Sequence, residues 1–210
     1  MLETMRKNAL VLAAFALVCT ALVAFTNSLT RATIIEQEQA QLLAVLNELL
    51  PDSTHDEPLY EHCVMLESPQ YLGSRDPLPV FTAVKQGEVQ GHAIEAIAPD
   101  GYSGEIKLVV GVNADGSLSG VRVLNHNETP GLGDKIELKK SRWLLDFDGK
   151  RLNGAEDASW AVRNDGGQFD AFTGATITPR AVVGAVRKVL LLVHEQPQLL
   201  SNAPRCGESL

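Results

Sequence analysis

Asp170-Ala171-Phe172-Thr173-Gly174-Ala175-Thr176-Ile177-Thr178-Pro179 runs directly into an apolar series, Val182, Val183, Val186, Val189, Leu190 and Val193, that recurs with the period of a helix. Pro179 therefore reads as the first helical residue and Thr178 as the N-cap. A helix start leaves backbone N–H groups unpaired and carries the positive end of the macrodipole, so a phosphate at or near Thr178 would be held without a lysine. Gly174 and Ala175, with little or no side chain, leave room for something bulky against the backbone. On helix signals alone the stretch is a capped helix start.

Upstream of this start the pattern is that of a sheet. Ile106, Leu108, Val110 and Val112 alternate with Lys107, Val109 and Gly111, the period of a strand with one buried face. Turn residues Asn113-Ala114-Asp115-Gly116-Ser117 follow, and alternation resumes from Leu118 to Leu124 through Val121 and Val123, which predicts a β-hairpin. Residues 82–98 add strands around Gly87 and Gly91, Leu138 to Phe147 fits a short helix, and Asn164-Asp165-Gly166-Gly167 marks a turn. The last helix, about 179–195, turns its apolar face to the sheet and exposes Arg180, Arg187 and Lys188. These elements predict an α+β domain over 81–196, with a mainly antiparallel sheet and flanking helices. Before it, residues 51–80 carry Pro58, Pro69, Gly73, Pro77 and Pro79 and read as an irregular connection. After it, residues 197–210, with Pro197 and Pro204, read as a loose C-terminal tail.

From Ala9 to Phe25 only Cys19 and Thr20 interrupt an apolar run, and uncharged residues extend it to Thr30. A membrane-spanning helix needs about 20 residues, so 9–30 reads as a single transmembrane anchor. Arg6 and Lys7 favour a cytoplasmic N-terminus over 1–8, which puts the C-terminal domain in the periplasm behind an inner membrane. A cleaved signal peptide fits the basic start equally well, but its apolar core is usually ~7–15 residues and no clean Ala-x-Ala site follows here. Beyond the anchor, Ile35, Leu42, Leu46 and Leu49, with Leu43 and Leu50 beside them, share one helical side opposite Glu36, Gln37, Glu38 and Gln41. They predict a stalk helix over 31–50 that stops at Pro51.

The formal charge of −8, from 26 acidic and 18 basic residues, argues against a nucleic-acid partner, which would require a basic face. Any phosphate must be bound locally, by dipoles and a few cations. The three cysteines, Cys19, Cys63 and Cys206, form no Cys-x-x-Cys, so neither iron–sulfur ligation nor c-type haem attachment is indicated. Cys63 and Cys206 either pair in an oxidising compartment or stay as two thiols; spacing does not decide. The five histidines show no metal-ligand spacing.

A second informative stretch, His126-Asn127-Glu128-Thr129-Pro130-Gly131-Leu132-Gly133-Asp134, leaves the hairpin's second strand. Its glycines allow close backbone approach and make a wall for a flat ring. It is not a dinucleotide fingerprint, since position 136 is isoleucine rather than the third glycine. As a pattern alone it is a Pro-Gly turn.

Thr173-Gly174-Ala175-Thr176-Ile177-Thr178 resembles the flavinylation sequence Ser/Thr-Gly-Ala-Thr-x-Thr of periplasmic FMN-binding subunits in Rnf and sodium-pumping NADH:quinone oxidoreductase complexes. Glu128-Thr129-Pro130-Gly131-Leu132-Gly133 is similar to a second hallmark of those domains, and its continuation Asp134-Lys135-Ile136-Glu137 looks most like the Rnf G subunit. With Gly101-Tyr102-Ser103-Gly104 the likeness spans about residues 90–195. The resemblance implies FMN joined covalently by a phosphoester to Thr178. It also implies a backbone cradle at Thr173, Gly174, Ala175 and Thr176, and a ring site at Glu128, Thr129, Leu132 and Tyr102. It further implies a flavoprotein that carries electrons but is not catalytic alone, in a translocase that couples ferredoxin and NAD to ion transport. Its partners would be the other membrane and redox subunits and a periplasmic flavin transferase. The alternatives are a C-type subunit of the sodium-pumping enzyme, a membrane-anchored assembly module without cofactor, and a hydrolase using Thr178 with His126 as base and Asp170 or Glu128 as orienter.

Overall fold

The computed structural model describes residues 2–207; Met1 and residues 208–210, at the ends of the expected cytoplasmic segment and tail, lie outside the described residues. The chain forms two compact units, Met1–Leu43 and Ala44–Leu210.

The first unit is helical. Helix α1 runs from Leu2 to Leu49, so the anchor and stalk expected as separate elements are one helix. The reason is compositional: no glycine or proline occurs between residue 2 and Pro51. An 18-residue window of α1 is long and apolar enough to cross a membrane, and Leu10, Val11, Leu12, Phe15, Leu22, Val23 and Phe25 are all exposed along it. The hydroxyls of Thr26 and Thr30 donate back to the carbonyls of Leu22 and Thr26, which pairs them internally as an apolar surround requires.

In the second unit five strands, β1 (Cys63–Leu66), β2 (Leu78–Lys85), β3 (Glu88–Ala98), β4 (Ile106–Asn113) and β5 (Leu118–Asn125), form an antiparallel meander in chain order. The expected hairpin is β4–β5, and the strands expected in 82–98 are β2 and β3, joined at Gln86-Gly87. Between 51 and 80 the expectation of an irregular connection is corrected. That region holds two 3-10 turns, strand β1, a short helix α2 (Pro69–Leu72) and the first residues of β2. Pro69 opens α2 and Gly73, at φ 72°, ends it, whereas Pro79 lies within β2 opposite Met65. The four residues of β1, paired Cys63↔Phe81 through Leu66↔Leu78, are too few to show alternation.

Both faces of the sheet are covered, whereas alternation in β4 predicts one. Val80, Ile94, Leu108, Val110 and Val121 pack with Val182, Val183, Val186 and Val189 of helix α3 (Ile177–Glu195) and with the aromatic residues Trp143, Phe147, Trp160, Phe169 and Phe172. On the other face Val109 and Ala93 are fully buried, and the end of α1 lies there with Leu46, Leu49 and Leu50 in the core. The fit depends on glycine. Gly111 and Gly120 face each other across β4 and β5, and a methyl on Gly111 would come within 3.1 Å of Leu49 Cβ, one on Gly120 within 2.9 Å of Leu49 Cδ2. The Arg122 guanidinium adds an ion pair to Glu48 at 2.8 Å. Leu49→Ala empties this saddle and is expected to cost about 3 kcal/mol, read as a lowered unfolding midpoint of the full chain.

The tail is not loose over its described residues. Helix α4 (Pro197–Asn202) buries Leu200, and Pro204 to Cys206 then run along β1, where Met65 N–H donates to Pro204 O and Cys206 N–H to Cys63 O. Cys63 and Cys206 form a disulfide, which answers the pairing left open by spacing. Contacts across 143 residues leave no trace in local sequence.

Candidate functional site

Three pieces of chain meet at one end of the sheet: the β3–β4 loop, the segment leaving β5, and the start of α3. Together Tyr102, Glu128, Thr129, Leu132, Gly133, Gly174, Ala175, Thr176, Ile177 and Thr178 line a cleft of about 250 Å³.

The α3 side is seated from the aromatic core. Trp143 Nε1–H donates to Asp170 O at 2.8 Å, and the Phe172 ring meets Trp143 edge-on at 5.1 Å. A turn then closes with Ala175 N–H on Phe172 O, and Gly174 supplies its positive φ of 80°. Helix α3 begins at Ile177, not Pro179, with Thr176 as the N-cap in helical geometry and no side chain capping. The expectation that Thr178 is the N-cap is corrected: its side chain turns inward, is wholly buried, and donates from Oγ1 to Glu128 Oε2 at 2.5 Å. The uncapped start still leaves backbone N–H groups for an anion.

Glu128 is 4 % exposed, and its Oε1 accepts Ser103 N–H at 3.1 Å. The carboxylate thus lies beneath Thr178 and joins the β3–β4 loop to α3. Two glycines make room for it. A Cβ on Gly133 would lie 2.8 Å from both Glu128 Oε2 and Thr178 Oγ1, and one on Gly101 2.9 Å from Glu128 Oε1. The loop is braced beyond this pair. Thr129 O accepts the N–H groups of Leu132 and Gly133, and His126 Nδ1 accepts Glu128 N–H. His126 Nε2 donates to Glu137, so both ring nitrogens are engaged and neither is free to act as base to Thr178.

Lys140 bridges Asp134 and Glu137 at 2.9 and 2.6 Å. Its ammonium, helped by Gly131 N–H for Asp134 and by His126 for Glu137, holds both carboxyls below the ordinary range. Groups with depressed values stabilise the fold above their unfolded pKa, about 4, and lose that contribution as pH falls through the lower folded value. Hydrogen exchange over residues 126–137 is therefore expected to be slow at neutral pH and to accelerate, relative to its intrinsic rate, only below about pH 4.

The residues expected to form the site largely converge. Tyr102 and Leu132 are exposed at the cleft mouth with Ile177, which the sequence marks only as the variable position of its motif. Gly174, Ala175, Thr176 and Thr129 line the cleft, whereas Thr173 is exposed in the turn outside the lining. Arg180 is held bidentate by Asp165, and Arg187 donates to Ala155 O, so neither serves the cleft. Ser103 and Gly101 are the contributors that sequence reasoning missed, while Gly133, expected as a wall for a ring, also makes room for Glu128 and Thr178. Their signal lay in motifs already quoted, but which backbone faces a carboxylate is not visible there.

The features fit a flavin mononucleotide. An uncapped helix start suits the phosphate, and an apolar rim of Tyr102, Leu132 and Ile177 suits a flat ring. The fold is that of an FMN-binding domain, and the FMN-binding domain family matches residues 101–191. The RnfG N-terminal region matches residues 1–49. The G subunit of the ion-translocating oxidoreductase complex of Shewanella loihica is 52 % identical over 198 residues, covering 94 % of this chain and 93 % of its own. The corresponding G subunits of Aliivibrio fischeri and Vibrio cholerae are each 52 % identical over 204 residues, covering 97 % of both chains. The chain belongs to the G-subunit family of Rnf-type ion-translocating oxidoreductase complexes.

Proposed function

We propose that this chain is the flavin-carrying electron-transfer subunit of a membrane-bound Rnf-type complex linking ferredoxin and NAD, with FMN attached through a phosphoester to Thr178. The observation that carries the attachment is the place of Thr178, which lines the cleft in the first turn of an uncapped helix. The cleft's size is in keeping with this: at about 250 Å³ it is smaller than the ~300–1,000 Å³ of pockets that engulf a ligand. FMN supplies the electron chemistry, and the protein supplies position and attachment. The chain is not catalytic alone; it passes electrons among the other membrane and redox subunits of the complex.

Ion movement belongs to those partners, because the 9–30 segment carries no charged residue. Arg6 and Lys7 before the anchor support a cytoplasmic N-terminus, and the Cys63–Cys206 disulfide supports an oxidising periplasm around the domain. Attachment then requires a separate periplasmic flavin transferase. Trypsin releases residues 164–180 as one peptide. Recovered from chain made with the transferase and riboflavin, it is expected to carry one FMN, with fragmentation localising the group to Thr178. An unmodified peptide under those conditions overturns the reading.

A further inference from the structure

We propose that Glu128 is the proton acceptor through which Thr178 is esterified. The proposal rests on flavin attachment at Thr178 and adds the group that makes its hydroxyl nucleophilic. The two residues lie 50 positions apart, yet the Thr178 hydroxyl points at Glu128 Oε2 at 2.5 Å. Glu128 is 4 % exposed and, among the described residues, no ion pair to it is formed. A buried carboxylate without a counter-charge is an expensive way to hold a hydroxyl, because a neutral amide would accept the same hydrogen bond without desolvating a charge. Its aim is also fixed from several sides. Ser103 N–H holds Oε1, His126 holds the Glu128 backbone, and Gly101 and Gly133 wall the pair where no side chain fits.

A threonine hydroxyl is a weak nucleophile until a base takes its proton. In the step inferred here the Oγ1–H bond of Thr178 breaks and the proton passes to Glu128 Oε2. Oγ1 forms a bond to the flavin-side phosphorus of a flavin dinucleotide presented by the transferase. The phosphoanhydride P–O bond breaks, and a nucleoside monophosphate leaves with the electron pair. Nothing is oxidised or reduced. The dinucleotide is required because the anhydride provides the leaving group that FMN alone lacks. Since Thr178 is wholly buried, the half-exposed Leu132 and Ile177 at the mouth, or the Gly174 turn, must part for phosphorus to arrive. Afterwards Oγ1 has no hydrogen left to donate to Glu128.

The test follows covalent labelling over time, as in-gel flavin fluorescence, across a pH series with the transferase and flavin adenine dinucleotide. The acceptors are full-length wild type, Glu128→Gln and Glu128→Asp, each checked for a closed disulfide and native circular dichroism. Glutamine keeps an acceptor for the Thr178 hydroxyl but not a base. Labelling of Glu128→Gln is expected to be about 100-fold slower, without the acid limb of the wild-type pH profile, while Glu128→Asp keeps that limb and labels at least roughly tenfold faster than the glutamine variant. Glu128→Gln labelling at the wild-type rate, or aspartate no faster than glutamine, overturns the proposal. Should Glu128→Gln fail to fold, Glu128→Asp decides alone, by the presence or absence of its acid limb. An unlabelled wild type instead removes the attachment reading itself.

Discussion

Thr178→Val is expected to yield a chain with no covalent flavin: a dark band after denaturing electrophoresis and an unmodified 164–180 peptide. Valine matches threonine in shape and lacks only the nucleophilic oxygen, so the loss is one of chemistry rather than space. The stability cost follows from the contact seen at Glu128. Since Thr178 does not cap α3, the lost interaction is a buried hydrogen bond to a carboxylate, worth about 2–3 kcal/mol, rather than the ~1 kcal/mol of a helix cap. The neighbouring threonines are the discriminating controls. Thr176 lines the cleft and Thr173 stands outside it, and Thr173→Val and Thr176→Val are both expected to stay fluorescent because neither hydroxyl meets Glu128. Fluorescence in Thr178→Val, or its loss in Thr176→Val alone, would move the attachment point.

What the sequence displays and what it hides divide along range and length. The β4–β5 hairpin and α3 are legible because each repeats its period several times within one element. The long apolar stretch of α1 is legible because no charged residue, glycine or proline interrupts 9–30. Strand β1, at four residues, has no room for a period, and its partner Phe81 is set by tertiary pairing. The misplacement of the α3 start has a local cause. Pro179 fits N1, but it fits N3 equally well, because the first N–H groups of a helix lack intrahelical partners at either position. Glycine ordinarily weakens a strand, and only with Leu49 lying over both Gly111 and Gly120 does their purpose become physical. The cleft divides in the same way. Its motifs are local and could be quoted, but the hydrogen bond joining Glu128 to Thr178 spans 50 residues, so Glu128 reads in sequence as a ring contact rather than a partner of the hydroxyl.

Reduction of the Cys63–Cys206 disulfide is expected to produce the largest loss of stability of any single change in the second unit. The bridge joins Cα atoms 5.3 Å apart across 143 residues of chain. By the loop-entropy relation, closing so long a loop in the unfolded state is worth about 5 kcal/mol, comparable to the entire ~5–15 kcal/mol stability of an ordinary domain. A native-state effect adds to it: Pro204, Arg205 and Cys206 run along the outer side of β1 through hydrogen bonds to Met65 and Cys63 and a bridge between Val64 and Arg205, covering a sheet edge that would otherwise be open. Cys206→Ser leaves the buried Cys63 thiol as a small apolar group, so it isolates the bond from core packing. The midpoint of thermal unfolding is expected to fall by about 10–20 °C in this variant, and by a similar amount when wild type is treated with dithiothreitol. Dithiothreitol should produce no further fall in the variant. Below that lowered midpoint Thr178 should still accept flavin, because the cleft is built by the β3–β4 loop, the exit of β5 and the start of α3, none of which includes β1 or the tail. A wild-type midpoint that dithiothreitol leaves within a few degrees would mean that the hydrogen bonds along β1, rather than the disulfide, hold the tail in place.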